Sequence, residues 1–386
     1  MSISSLPLSY CTNVHAAQTV AAVINGLDQY TVKVQERLGQ PVATGLWLAR
    51  SVASELLAAD DSLKQFADEL RSRELICYTL NTFPYGDFHS ERVKETVYIP
   101  GWSEPSRSEY TLDSAKILSE LLPDGTEGSL STVPLGFKER EYPADFDSQC
   151  IESLISLAVD LDELHSDTGK MIRLAIEPEP ICVLETTDET IQFFNRLRSR
   201  AADSGTLEQV NRHIGVCYDV CHQSVEFEDV AASIESLRQA EIRINKLHIT
   251  CAIDLEDPAN NAEARDALAT FVESRYLHQT FGRRPDGTTI RVVDLDQDLA
   301  LSPPPEFLEC DRWRIHFHVP VNAESLGPLN TTRPDLKRAL AAVAALDYAP
   351  HLEVETYTWG VLPSQQVDLV EGLTNEMRAT HELLSS

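Results

Sequence analysis

Short, nearly unbroken apolar runs alternate along this chain with longer segments whose apolar positions recur every three or four residues. The runs fall at residues 8–15, 42–48, 75–83, 129–137, 173–180, 214–220, 244–250 and 351–359. Each has the length of a strand, and near-continuous apolarity predicts strands buried on both faces, as in a parallel sheet. The periodic segments predict helices at 14–39, 51–73, 111–122, 149–169, 188–201, 229–241 and 334–346. Such alternation means parallel strands joined by helical crossovers. Eight units of this kind close an α/β barrel, the (β/α)8 or TIM barrel. An open doubly wound sheet is the alternative, but no Gly-rich phosphate loop follows any run.

Two regions break the rhythm. Residues 82–112 are aromatic and loop-like. Residues 251–313 are the longest irregular stretch and carry a hairpin signal, Pro285-Asp286-Gly287 within GRRPDGTTIRVVDLD. They read as a long insertion between the seventh and eighth strands of a single barrel domain spanning 1–386. Just beyond, RIHFHVP (314–320) supplies a ninth strand candidate. It is either an extra strand beside the barrel or the true seventh strand, with KLHIT (246–250) as edge structure.

A chain of 386 residues with 42% hydrophobic positions suits one large α/β barrel. The net charge of −29, from 61 acidic against 32 basic residues, argues against a nucleic-acid partner, because phosphates must be met by Lys and Arg. Eight cysteines are scattered without a CxxC pair, the usage of a reducing compartment. Cys217 and Cys221 flank Asp219, so a thiolate ligand stays open. The N-terminal residues form no basic, apolar leader, and no run approaches a membrane span. The expectation is a soluble, cytoplasmic protein, its oligomeric state undetermined.

Candidate chemistry sits at the ends of five strand-like runs: LAIEPEP (174–180), GVCYDVCH (215–222), KLHIT, RIHFHVP and LEVETYTW (352–359). Together they offer Glu177, Asp219, His222, His248, His316, His318 and Glu355. Buried carboxylates and imidazoles are costly unless compensated, and a shared divalent ion compensates many at once. In an α/β barrel the chemistry lies at the C-terminal strand ends, where these residues fall. Each also has a structural reading: Asp219 as a helix N-cap, His248 as a core histidine bonded to backbone, Glu177 as half of an ion pair. Glu179 and Glu353 alternate with Glu177 and Glu355 and are substitutes for them. His316 and His318 share a strand face in a zinc-like arrangement, with His318, nearer the strand end, the better metal candidate. Asn13 and His15 end the first run. Phe83, Tyr85, Phe88 and His89 in NTFPYGDFH, with Trp47, Trp102 and Trp359, form either an aromatic lid or a wall against substrate. Lys94 and Arg107 are candidates to meet an anionic group.

IEPEP, the Asp-x-x-His of YDVCH, the His of KLHIT and the Glu of VETYTW resemble the xylose isomerase-like TIM barrels. That superfamily includes sugar isomerases, ketose 3-epimerases and endonuclease IV-type enzymes. The resemblance implies that Glu177, Asp219, His248 and Glu355 bind one divalent ion, with His222 turned to substrate. It further implies that Glu177 and Glu355, on opposite strands, pass a carbon-bound proton through an enediolate of a sugar-like metabolite. The donor set suits Mn, Mg, Co or Zn. More narrowly, YCTNVH, NTFPYGDFH, VKETVYIPGW, SLSTVPLGF and VETYTWGVLP resemble the EboE barrel family of bacterial metabolite-traffic operons. This implies a part in making or exporting a small metabolite beside other proteins of such an operon. Three alternatives remain: an endonuclease IV-like phosphodiesterase with two or three metals and a basic groove, a retaining glycosidase using Glu177 and Glu355 without metal, and a metabolite-binding protein without turnover.

Overall fold

A computed structural model describes residues 4–59, 61–363 and 368–385. Seven short parallel strands come first: β1 (Ser9–Cys11), β2 (Ala43–Trp47), β3 (Thr79–Asn81), β4 (Gly128–Thr132), β5 (Ile172–Ile176), β6 (Ile214–Asp219) and β7 (Ile244–Ile249). Six further strands follow: β8 (Ile253–Glu256), β9 (Thr280–Arg283), β10 (Thr289–Val292), β11 (Arg312–Ile315), β12 (Ser325–Leu326) and β13 (Leu329–Thr331). The chain then returns as β14 (His351–Val354). β1 to β7 and β14 close a barrel in the order β1-β14-β7-β6-β5-β4-β3-β2. The fold is the α/β TIM barrel that the strand–helix alternation predicts.

The strands are shorter than the apolar runs. The first run ends as a strand at Cys11 and turns at once into a 3-10 segment, Thr12–Val14, whose Thr12 and Asn13 stay buried. Burial therefore continues past the strand ends into the loops above the barrel, and composition alone does not mark the boundary. The helices between strands follow the periodic segments. Thr187–Ser204 starts at a capping box between Thr186 and Glu189 and ends where Gly205 takes a φ of 75°. The sequence reading omits the last helix, Leu369–Ser385. Its buried stripe of Val370, Leu373 and Met377 is interrupted by a wholly buried Glu376. That carboxylate accepts hydrogen bonds from the Val321 N–H (3.0 Å) and the Thr356 hydroxyl (2.7 Å). Among the described residues no helix is long and apolar enough to cross a membrane.

Between β7 and β14 lies a second, six-stranded antiparallel sheet in the order β10-β9-β11-β8-β13-β12. This corrects the expectation of an irregular stretch ending at 313. The sheet runs from Ile253 to Thr331, and its strands, two to four residues long, are too short to leave a periodic signature. β11 is part of it, so RIHFHVP lies beside the barrel and KLHIT is the seventh barrel strand. His316 and His318 follow β11 directly, which is how the second sheet delivers them to the barrel mouth.

Arg107 is wholly buried in the helix Pro105–Leu121 and does not meet an anion. Its Nη1 donates to the carbonyls of Thr82 (2.6 Å) and Phe83 (3.1 Å), and its Nε to that of Pro100 (2.8 Å). It thereby fixes the loop after β3. Arg107→Met would strand these carbonyls, and unsatisfied buried groups cost about 1–3 kcal/mol each. The substitution is expected to lower stability by roughly 2–4 kcal/mol in urea denaturation; an unchanged midpoint would remove this structural role.

Candidate metal centre

Four adjacent strands, β5, β6, β7 and β14, end in the residues that converge at the barrel mouth. Glu177 follows β5, Asp219 ends β6, His248 is the penultimate residue of β7 and Glu355 follows β14. One ligand atom from each lies within 4.8 Å of the others. Glu177 and Glu355 are not on opposite strands, since β14 pairs with β7 and the four form one contiguous arc. His248 Nδ1 sits 3.1 Å from Glu177 Oε1, 3.1 Å from Glu355 Oε2 and 3.4 Å from Asp219 Oδ2. One N–H cannot serve three carboxylates. Glu177 Oε2 and Asp219 Oδ2 are buried without a hydrogen-bond partner. Burial works against protonation of His248, but the acidic groups around it, Glu355 and Glu177 among them, hold it well above its ordinary range. The set demands a positive charge at its centre, and its three carboxylates and one imidazole suit a divalent cation.

The outer oxygens of Glu355 and Asp219 are held by the protein itself. Asn13 and Asn81 each donate Nδ2 to Glu355 Oε1 at 2.8 Å. Asp219 Oδ1 accepts from the Thr250 hydroxyl (2.7 Å) and the His222 N–H (3.1 Å), so it also caps the helix Val220–Val225. Capping occupies Oδ1 and leaves Oδ2 free for a metal ion. Burial alone would raise Asp219, yet His222 and His318 hold it well below the usual carboxylate range.

Behind His248 lies a buried ion pair. Its Nε2 faces Glu353 Oε1 at 3.4 Å, and Lys246 Nζ reaches the same oxygen at 2.6 Å. Ser9 donates its hydroxyl to Glu353 Oε2 at 2.8 Å. Room for this carboxylate comes from Gly45 in β2: a Cβ there would lie 1.4 Å from Glu353 Oε2. A carboxylate behind a histidine that ligates a metal sets its tautomer and raises its basicity. Glu353 lies on that far side of His248 and not among the candidate ligands beside Glu355.

His222, His316 and His318 form an annex beside the four ligands. His222 Nδ1 donates to the Pro178 carbonyl (3.0 Å), and His318 Nδ1 to that of Glu355 (2.7 Å). His316 Nδ1 pairs with Gln279 Oε1 at 2.8 Å. A carbonyl only accepts, so Nδ1 carries a proton in both His222 and His318, and burial opposes a charge on His222 while Asp219, Glu179 and Glu177 hold it above the ordinary imidazole range. The Nε2 atoms of His316 and His318 have no partner. His222 and His318 Nε2 lie 4.0 and 3.9 Å from Asp219 Oδ2. Burial holds His316 and His318 below the ordinary imidazole range. Burial also pushes Glu179 up to about 7, against His222 and the Tyr98 hydroxyl that donates to it at 2.7 Å. Burial pushes the Cys217 thiol up to about 12 and that of Cys221 well up, so both flanking cysteines present neutral thiols.

Glu177, Glu355, His222, His316, His318, Asn13 and Phe83 line one cavity, joined by Asn81, Glu179, Tyr98, Tyr276 and Tyr357. Other expected residues lie elsewhere. His15 stacks on Tyr30 and bonds the Tyr10 hydroxyl behind β1. Tyr85 packs edge-on against Tyr110. His89 donates Nε2 to the Asn13 carbonyl at 2.7 Å and packs with Trp47, so both support the wall from behind. Trp359 turns away, donating to Glu376 at 2.8 Å. Lys94 lines the cavity, but its ammonium is held by the Tyr276 carbonyl and Asp294, each at 2.6 Å. Glu179 was legible by its alternation with Glu177. Tyr98, Tyr276 and Gln279 sit in segments with no periodic signal.

No protein-family model matches the chain, and no curated protein matches it. Among solved structures, a xylose isomerase-like TIM barrel protein from Mycobacterium smegmatis in complex with magnesium superposes with a TM-score of 0.54 at 12% identity, covering 100% of this chain and 99% of that one. An L-ribulose 3-epimerase gives 0.52 at 11%, covering 98% and 94%. A D-allulose 3-epimerase from Methylomonas sp. in complex with D-allulose gives 0.50 at 12%, covering 99% of each chain. At these identities the likeness shows a shared barrel fold.

Two outcomes test the centre. Elemental analysis of the purified protein should find close to one divalent ion per chain, lost in Asp219→Asn and His248→Ala; no ion after incubation with Mn, Mg, Co or Zn would remove the metal reading. Gly45→Ala, which leaves every ligand in place, should weaken metal affinity about 10–100-fold by displacing Glu353. Unaltered affinity in a competition titration would show that Glu353 does not support His248.

Proposed function

We propose that this protein is a divalent-metal-dependent isomerase or epimerase acting on a small, sugar-related α-hydroxycarbonyl metabolite. The observation that carries the reading is His248 Nδ1 facing three carboxylate oxygens at 3.1–3.4 Å in a buried site. The two 3-epimerases and the magnesium complex among the structural neighbours support it. A divalent ion in this set supplies Lewis acidity to adjacent carbonyl and hydroxyl oxygens of the substrate. Glu177 Oε2, which has no hydrogen-bond partner, takes the carbon-bound proton. Glu355, oriented by Asn13 and Asn81, returns a proton to that carbon or its neighbour. His222 and His318 border the same space and position substrate oxygens. The resemblance to EboE barrels supports a part in the synthesis or export of a small metabolite.

One observation favours a second reading. The unpaired Nε2 atoms of His316 and His318 lie beside His222, with ring centroids 4.6–5.6 Å apart, a geometry able to take another ion as a phosphodiesterase requires. The only cation lining the cavity among the described residues, Lys94, is already paired, which disfavours a phosphate substrate. A retaining glycosidase would need two carboxylates alone, and Asp219 and His248 share their space.

The test is exchange of a carbon-bound proton in heavy water, followed by NMR, with metal-loaded protein and a panel of α-hydroxyketones including ketopentoses and ketohexoses. Exchange should occur at one carbon and fall at least about 100-fold in Glu177→Gln and Glu355→Gln. No exchange with one ion bound would point to a carrier. Two or three ions with hydrolysis of a phosphodiester would favour the second reading.

A further inference from the structure

The cavity lining falls into two groups, one polar and one aromatic, and this bears on which α-hydroxycarbonyl compound it takes. At the ligand end lie free polar atoms: Asn13 Oδ1, Glu177 Oε2, and Nε2 of His316 and His318. The outer wall is built from rings. Phe88 packs on Tyr276 and Tyr357 with centroids 4.9 and 5.4 Å away, and Tyr276 and Tyr357 lie 5.0 Å apart. Tyr357 continues the surface to His318 at 4.7 Å, and Phe83 with Tyr98 (5.9 Å) supplies another face.

The polar tips on this wall are committed inward. The Tyr98 hydroxyl donates to Glu179 Oε1 (2.7 Å) and accepts from Gln279 Nε2 (2.9 Å). The Tyr276 hydroxyl donates to the Phe88 carbonyl (3.2 Å). Lys94 Nζ is taken by Asp294 and two backbone carbonyls. Among the described wall residues this leaves the Tyr357 hydroxyl as the one uncommitted tip.

A ketohexose bound by its carbonyl and neighbouring hydroxyl would turn three more hydroxyls toward this wall. Against the rings each would lose water without gaining a partner, apart from one at Tyr357. A flat apolar group would instead exchange water for aromatic faces. Resting on the function proposed above, we infer that the substrate is two-ended: an α-hydroxycarbonyl or vicinal diol head at the ligands and a flat, apolar tail against Phe83, Phe88, Tyr276 and Tyr357. The site would thus share its head-group chemistry with sugar epimerases while rejecting their polyol tails.

The experiment measures binding of three α-hydroxyketones to the Mn²⁺-loaded full chain by calorimetry: hydroxyacetone as the bare head, 2-hydroxy-1-phenylpropan-1-one as the head with a phenyl tail, and D-fructose as the head with a polyol tail. The phenyl compound should bind at least tenfold more tightly than either of the others, about 1.4 kcal/mol. Phe88→Ser with Tyr276→Ser should bring the phenyl compound to within about twofold of hydroxyacetone, with Mn²⁺ content unchanged. Should those variants misfold, Phe83→Asn alone must narrow the gap. Fructose binding as tightly as the phenyl compound, with one Mn²⁺ bound, would overturn this inference and leave the isomerase reading standing. Absence of bound Mn²⁺ would overturn both.

Discussion

Three carboxylates and an imidazole meet, almost wholly buried, at the mouth of the barrel, and the surrounding structure answers that unfavourable concentration of charge. Burying an unpaired ion costs several kcal/mol even after relaxation. Here the cost falls on one point, because β5, β6, β7 and β14 are neighbours and their ends project to a common centre. The protein's own hydrogen bonds satisfy the outer oxygens of Asp219 and Glu355. The inner ones, Asp219 Oδ2 and Glu177 Oε2, are buried without a hydrogen-bond partner. A structural ion-pair network would satisfy these atoms as well.

Support for the centre reaches down the barrel. Glu353 and Lys246 form a fully buried pair beneath His248, and Gly45 on the far side of β1 makes room for the carboxylate. From above, the second sheet contributes through the segment after β11. That segment brings His316 and His318, and the approach to β9 brings Tyr276 and Gln279. The four carboxylate and imidazole positions are therefore barrel, while the insertion adds His316, His318 and Tyr276 to a wall built mainly from the loops after β3 and β14. A barrel set of ligands can in this way serve a different substrate when the insertion changes.

Much of this was legible in the sequence. The alternation of apolar runs with periodic segments defined the barrel, because burial on both strand faces and one helix face are the two strongest patterns a chain can carry. Glu177, Asp219, His248 and Glu355 stood out because a charged residue ending an apolar strand has few uses. The aromatic candidates were harder to place. Tyr85, His89 and Trp359 share short segments with residues that do face the cavity, and the direction of a loop side chain leaves no periodic trace. The short strands of the second sheet were read as irregular for the same reason. β-strand alternation puts Glu353 on the same face as Glu355, where it reads as a replacement ligand, but its place behind His248 depends on space left by Gly45 in another strand.

The most direct measurement is anomalous diffraction from crystals soaked in Mn²⁺. The account predicts one strong peak about 2 Å from His248 Nδ1 and from oxygens of Glu177, Asp219 and Glu355. A peak only among His222, His316 and His318, or no peak at all, would contradict it.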